Sequence, residues 1–142
     1  MVMNDADRLN GKLVIALGRA YRSAHRKSTE LFRKRGLTMS QFTVMEVLYN
    51  KGEMTIQQII DKVLSSSGNI TVVVRNLETV GLAYRRVNPE DKRSYYIGLT
   101  DKGKRTAASV FSKHMTYIAE AFSKLTPQEK STVVAVLKKL KD

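Results

Sequence analysis

Arg75, Lys92 and Arg93 are the residues of this chain best suited to chemistry, and the chemistry is the holding of an anion. Arg75 lies in the run SSSGNITVVVRNLETVG, where Ile70, Val73, Val74, Leu77 and Val80 recur at helical spacing and form one apolar stripe. At 100° per residue, Ser65, Gly68, Val72, Arg75 and Thr79 fall opposite that stripe, with Asn69, Thr71 and Asn76 beside them. Such a face is small and polar near its start and carries one guanidinium in its middle. Small residues at Ser65, Ser66, Ser67 and Gly68 permit close approach of a duplex, and hydroxyls with free first-turn N–H groups suit phosphate oxygens. Asn69, Thr71 and Val72 lie within reach of bases or backbone, and Arg75 has the fork that pairs with guanine or with a phosphate. Lys92 and Arg93 follow the turn signal Asn88-Pro89-Glu90-Asp91, at the tip of a hairpin between strand-like Ala83–Asn88 and Ser94–Leu99. Arg93 there suits a minor groove and Lys92 a phosphate. Asp91 would repel DNA, so it is expected to pair with an arginine or accept backbone N–H bonds and thereby shape the tip.

The composition agrees with a polyanionic partner. The 142 residues carry 25 Lys and Arg against 13 Asp and Glu, a net charge of +12, which favours nucleic acid first and an anionic membrane second. No cysteine is present, which excludes disulfides, thiolate-bound zinc and thiol redox sensing. The start, MVMNDADRLN, lacks the basic and apolar regions of a signal peptide, and no run nears the ~20 apolar residues of a membrane span. A cytoplasmic protein of one domain is expected. His25 and His114 stand alone on helix stripes and suit packing or a hydrogen bond; no His, Asp and Glu set has metal spacing. No nucleophile–base pair or glycine-rich phosphate loop is evident, so no catalytic residue, metal or cofactor is expected.

The positioning elements follow from periodicity. Apolar residues from Leu9 to Phe32 step in threes and fours and predict one long helix over Asp7–Arg35, capped by Asp5 or Asp7 and stopped by Gly36. A helix of ~28 residues spans roughly 42 Å, long enough to pack on another subunit. Thr38 and Gln41 predict a capping box for a second helix with Phe42, Met45, Val47 or Leu48, and Tyr49 on its buried side. Thr55 and Gln58 repeat that box for a short third helix, and Met54 is placed to add a strand beside the hairpin. The fourth helix is predicted from about Ser66 to Val80. A fifth runs from Thr100-Asp101 to about Lys124, and a sixth follows Thr126-Pro127-Gln128-Glu129 and buries Val133, Val136, Leu137 and Leu140. The result is a mainly α chain with a small β-hairpin wing: a helix-turn-helix over residues 37–100, flanked by helices over 5–36 and 101–142.

Three stretches, LTMSQFTVMEVLYNKGEMTIQQI, SSGNITVVVRNLETVGLAYRRVNPEDKRSYYIGLTDKGK and LTPQEK, resemble the MarR (multiple antibiotic resistance regulator) family of winged helix-turn-helix transcription factors. The Asp-Lys-Arg tip with its downstream Leu-Thr-x-x-Gly is the most specific part, and the likeness spans about Leu9 to Leu140. The resemblance implies a homodimer joined by the first, fifth and sixth helices and bound to a pseudo-palindromic operator. It also implies repression relieved by a small phenolic or otherwise amphipathic ligand, and DNA contacts from Arg75 and Arg93. Some relatives sense oxidants through an N-terminal cysteine, which this chain lacks. Tyr21, Phe42, Met45, Tyr49, Phe111 and Met115 could line a ligand cavity or simply be core. The competing reading is a nucleic-acid-binding architectural protein without sequence preference.

Overall fold

Side-chain caps set the helix boundaries of the structure, a computed structural model that describes residues 2–63 and 69–140. Among these, six α-helices and three strands follow in order. Helix α1 (Asp5–Lys34) starts where Asn4 Oδ1 accepts the Asp7 N–H at 2.8 Å, so Asn4 is the cap, not Asp5 or Asp7. It stops at Gly36, whose φ of 70° lets the Leu37 N–H reach back to the Phe32 carbonyl at 2.8 Å. Helix α2 (Met39–Lys51) has its predicted box: the Gln41 N–H donates to Thr38 Oγ1 at 3.1 Å and the Thr38 N–H to Gln41 Oε1 at 2.8 Å. Strand β1 (Met54–Thr55) is the expected third strand, and the Thr55–Gln58 box starts α3 (Ile56–Val63).

Helix α4 (Ile70–Thr79) is shorter than expected at its end. Asn69 is its cap, with Oδ1 accepting the Thr71 N–H at 3.0 Å, and Val80 lies past its last turn and is exposed. The start expected at Ser66 lies outside the described residues. Strands β2 (Ala83–Val87) and β3 (Tyr95–Leu99) pair antiparallel, and β1 joins the far edge of β3 to give the order β1-β3-β2. Helix α5 (Asp101–Ala121) ends a few residues before Lys124. Helix α6 (Pro127–Leu137) follows the Thr126–Glu129 box and ends in a single 3₁₀ turn over Lys138–Leu140.

The chain divides into two compact units. One is Ser28–His114. Its core holds Phe32, Phe42, Val44, Met45, Leu48, Ile59, Val74, Leu77, Ile97 and Val110, with Phe32 stacked on Phe42 at 4.3 Å between ring centroids. The end of α1 and the start of α5 therefore belong to this winged lobe, beyond the 37–100 expected for it. The helical period puts Val44 and Leu48 inside and leaves Tyr49, expected in the core, 43% exposed. The other unit comprises the described residues up to Lys27 and from Met115 onward. The apolar stripe expected to be buried on α6 is not covered within the protomer: Val133, Val136, Leu137 and Leu140 are all exposed there, as are Leu9, Leu13, Val14 and Ile15 of α1. Amphipathic spacing identifies an apolar face but not what covers it. No described helix is long and apolar enough to cross a membrane.

Candidate nucleic-acid interface

The winged lobe presents its cations from two elements. Helix α4 buries Ile70, Val74 and Leu77 and turns Val72, Arg75, Asn76 and Thr79 outward. The polar face is thus set by the same apolar spacing that anchors the helix. Thr71 is half-buried and offers its hydroxyl beside the cap. Arg75 is exposed and its guanidinium forms no ion pair among the described residues. Ser65, Ser66, Ser67 and Gly68 lie outside the described residues. Asn69 has its side-chain oxygen committed to capping α4.

The wing tip is held by the acid and the amide that precede its cations. Asp91 Oδ1 accepts the Arg93 N–H at 3.0 Å and lies 3.4 Å from Arg93 Nε, while the Asp91 carbonyl accepts the Ser94 N–H at 2.9 Å. Asn88 is buried and closes the base of the loop. Its Nδ2 donates to Ser94 Oγ at 3.1 Å and its Oδ1 accepts the Glu90 N–H at 3.0 Å. Both roles anticipated for Asp91 are therefore present. Arg93 nevertheless keeps 93% of its side chain exposed, and Lys92 is exposed beside it. The tip is a hydrogen-bonded turn carrying cations that are exposed to solvent.

Two acids behind this surface were not singled out from the sequence. Arg85 on β2 donates through Nε to Glu78 Oε1 of α4 at 2.9 Å, and its guanidinium lies 5.0 Å from the Tyr95 ring centroid. Arg86, on the opposite face of β2, donates to both oxygens of Glu53, through Nε at 2.8 Å and Nη2 at 3.1 Å, and stacks over Tyr96 at 4.6 Å. The Tyr84 hydroxyl donates to Glu53 Oε2 at 2.8 Å, its ring lying across Gly98 where any side chain would collide. Arg86 first, then Tyr84, holds the Glu53 carboxyl below the usual carboxylate range, and Glu53 in turn raises the Tyr84 phenol and the Arg86 guanidinium. Alternation along AYRRV opposite YYIGL places Tyr84 and Arg86 on one face and Arg85 on the other. That signal was readable; the acids that meet them were not.

The six residues read as a ligand cavity do not share one setting. Phe42 and Met45 are core, Tyr49 and Phe111 sit with ring centroids 6.5 Å apart in the winged lobe, and Tyr21 and Met115 are exposed residues of the other unit. Tyr49 does border a cavity of about 390 Å³ with Leu48, Glu53, Tyr84, Leu99 and Lys104. His25 Nδ1 donates to the Tyr21 carbonyl at 2.9 Å, and His114 shares a 2.7 Å hydrogen bond with the buried Ser28. Among the described residues no group of three His, Asp or Glu side chains could hold a metal ion.

Comparison with known proteins gives a consistent result. The MarR family model matches residues 37–95. The HTH-type transcriptional regulator MhqR of Bacillus subtilis is 39% identical over 129 residues, covering 91% of this chain and 89% of that protein. The structure of reduced AbfR bound to DNA superposes with a TM-score of 0.77 at 25% identity, covering 97% of each chain. The structure of Bordetella bronchiseptica BpsR, described with the regulation of its DNA binding by 6-hydroxynicotinic acid, has a TM-score of 0.70 at 21% identity and covers 89% of this chain and 99% of that one. The last likeness is one of fold.

Proposed function

This chain belongs to the MarR family of transcriptional regulators, and from that premise we propose that it is a homodimeric repressor that reads a pseudo-palindromic operator. The observation that carries the reading is the pairing, within one lobe, of Arg75 on the open face of α4 with Arg93 on an Asp91-braced wing tip. Arg75 enters the major groove with Asn69, Thr71 and Val72 at its edge, Lys92 takes a phosphate, and Arg93 reaches the adjacent minor groove. Ser65, Ser66, Ser67 and Gly68 complete the approach to the backbone. In the dimer two such lobes address half-sites ~34 Å apart.

The test is a gel shift on the DNA flanking its own gene against a random duplex of the same length. A regulator should prefer its site by ~10³ or more at physiological salt, whereas an architectural protein would show little preference. Arg75→Ala is expected to weaken specific binding by roughly 5–100-fold and Arg93→Ala by a similar factor. Unchanged affinity and salt dependence in both variants would place the interface elsewhere.

Release by a small amphipathic ligand belongs to the same proposal. The cavity beside Tyr49 is within the size range of ligand sites and joins apolar Leu48 and Leu99 to the Tyr84 hydroxyl and the Lys104 ammonium. Because Tyr84 and Leu99 are wing-strand residues, an occupant that prefers a shifted wing lowers operator affinity by population shift. A thermal-shift screen followed by release of bound DNA checks this.

A further inference from the structure

The wing is a thin arm. Beyond Tyr96, where pairing with β1 ends, it is a two-stranded ribbon, and such a ribbon is marginally stable by itself. Only the Val87–Tyr95 pair and the turn lie beyond β1, so the free arm is about three residues per strand, roughly 10 Å. A swing of about 10° at its base moves Arg93 by about 2 Å, enough to break hydrogen bonds from Arg93 to a bound duplex. The base of the arm lies in the three-stranded part of the sheet, where Arg85 faces Ile97 and Ile97 faces Met54, and what remains is to fix that base against α4.

We infer that Glu78 and Arg85 are that device: a positioning pair that locks the wing to the recognition helix and takes no part in contacting DNA. This rests on the DNA-binding reading above. One guanidinium joins three elements, bonding Glu78 of α4 from β2 while seated on Tyr95 of β3. Arg85 faces Ile97 in the register, so Tyr95 is its diagonal neighbour two residues nearer the tip. The ion pair is partly shielded, with the Glu78 side chain 25% exposed, so it is less screened by salt than a fully solvated pair. Glu53 repeats the arrangement on the other face of β2 through Arg86 and Tyr84. Strand β2 is thereby gripped from both sides, each time by a carboxylate on an arginine that lies on a tyrosine of β3. Its consecutive arginines, which would otherwise read as phosphate contacts, are surface residues tied to the lobe's own carboxylates.

The sign of one substitution separates positioning from charge. Removing a carboxylate from a DNA-binding lobe strengthens polyanion binding if only charge matters. The pair assigned here requires Glu78→Gln, nearly identical in shape, to weaken operator binding by about tenfold, a coupling of ordinary size for a shared network. The loss travels through the wing, so in an Arg93→Ala background Glu78→Gln should add little; a general loss of folded protein would add its full effect there. In the DNA-free protein Glu78→Gln and Arg85→Gln should both speed amide exchange over Asn88–Ser94 and leave the α2 amides protected. Equal or tighter operator binding by Glu78→Gln, full additivity with Arg93→Ala, or unchanged wing exchange would overturn the assignment. Wild-type protein that retained no DNA at all would instead overturn the DNA-binding reading, and the role given to the pair with it.

Discussion

Glu53 meets three donors with two oxygens, and its own ionisation is the simplest probe of that site. Its carboxyl is held below the ordinary range by Arg86 first and Tyr84 second. A carboxyl lowered on folding contributes stability that is complete above its unfolded value, about 4.3, and that fades as pH falls through the lower folded value. The gap in unfolding free energy between wild type and Glu53→Gln should therefore be constant from about pH 7 to 5 and shrink as pH falls below the ordinary carboxylate value, as measured by urea titration at each pH. A gap that persisted in acid would mean that packing, not charge, holds β2 there. Residues of this kind explain what the sequence concealed. Asp91 and Arg93 are two positions apart, so their contact was deducible from turn chemistry. Glu53 and Arg86 are 33 positions apart and meet only once β1, β3 and β2 have taken their order.

Elements were legible where their ends carry local signals. The boxes at Thr38, Thr55 and Thr126 and the stop at Gly36 are contacts within a few residues, and each lies where spacing put it. Periodicity was less decisive for which side of a helix is deeply buried, as Tyr49 illustrates. The junction of β3 with α5 joins the local start expected at Thr100 to contacts with Gly81 and Leu82 that local spacing does not carry. Thr100 donates its hydroxyl to the Gly81 carbonyl at 2.7 Å and accepts the Gly103 N–H at 3.0 Å, while its own N–H meets the Leu82 carbonyl at 3.1 Å. A Cβ at Gly103 would strike that same Leu82 carbonyl oxygen. The obstacle is main chain already committed to Thr100, so it has little room to yield. Gly103→Ala is expected to destabilise the winged lobe by about 1–3 kcal/mol, the usual range for overpacking, and thermal or urea unfolding would register it. A neutral effect would show that the start of α5 slides freely over Leu82.

At the scale of the whole molecule, the exposed apolar residues of α1 and α6 argue for a partner. Val136 and Leu140 lie 52% and 66% exposed in the protomer, beside Val133, Val134 and Leu137. Contiguous apolar surface of this kind marks an interaction site. The double variant Val136→Asp with Leu140→Asp should elute as a monomer in light-scattering chromatography and lose at least about tenfold in operator affinity, because each lobe then binds without its twin. A variant that stayed dimeric would move the interface off this face. The sequence marked Val133, Val136, Leu137 and Leu140 as a buried stripe, but an amphipathic stripe reads the same whether it packs within a chain or between chains. Charge at this scale also has a kinetic side. A chain of +12 risks lingering on any stretch of duplex, and every additional phosphate it neutralises lengthens the stay. Within the 25 Lys and Arg that give this charge, Arg85 and Arg86 are already answered by Glu78 and Glu53, so neither adds to that indiscriminate grip. The clamp on β2 would thus shorten the pauses at wrong sites and quicken the search for the right one.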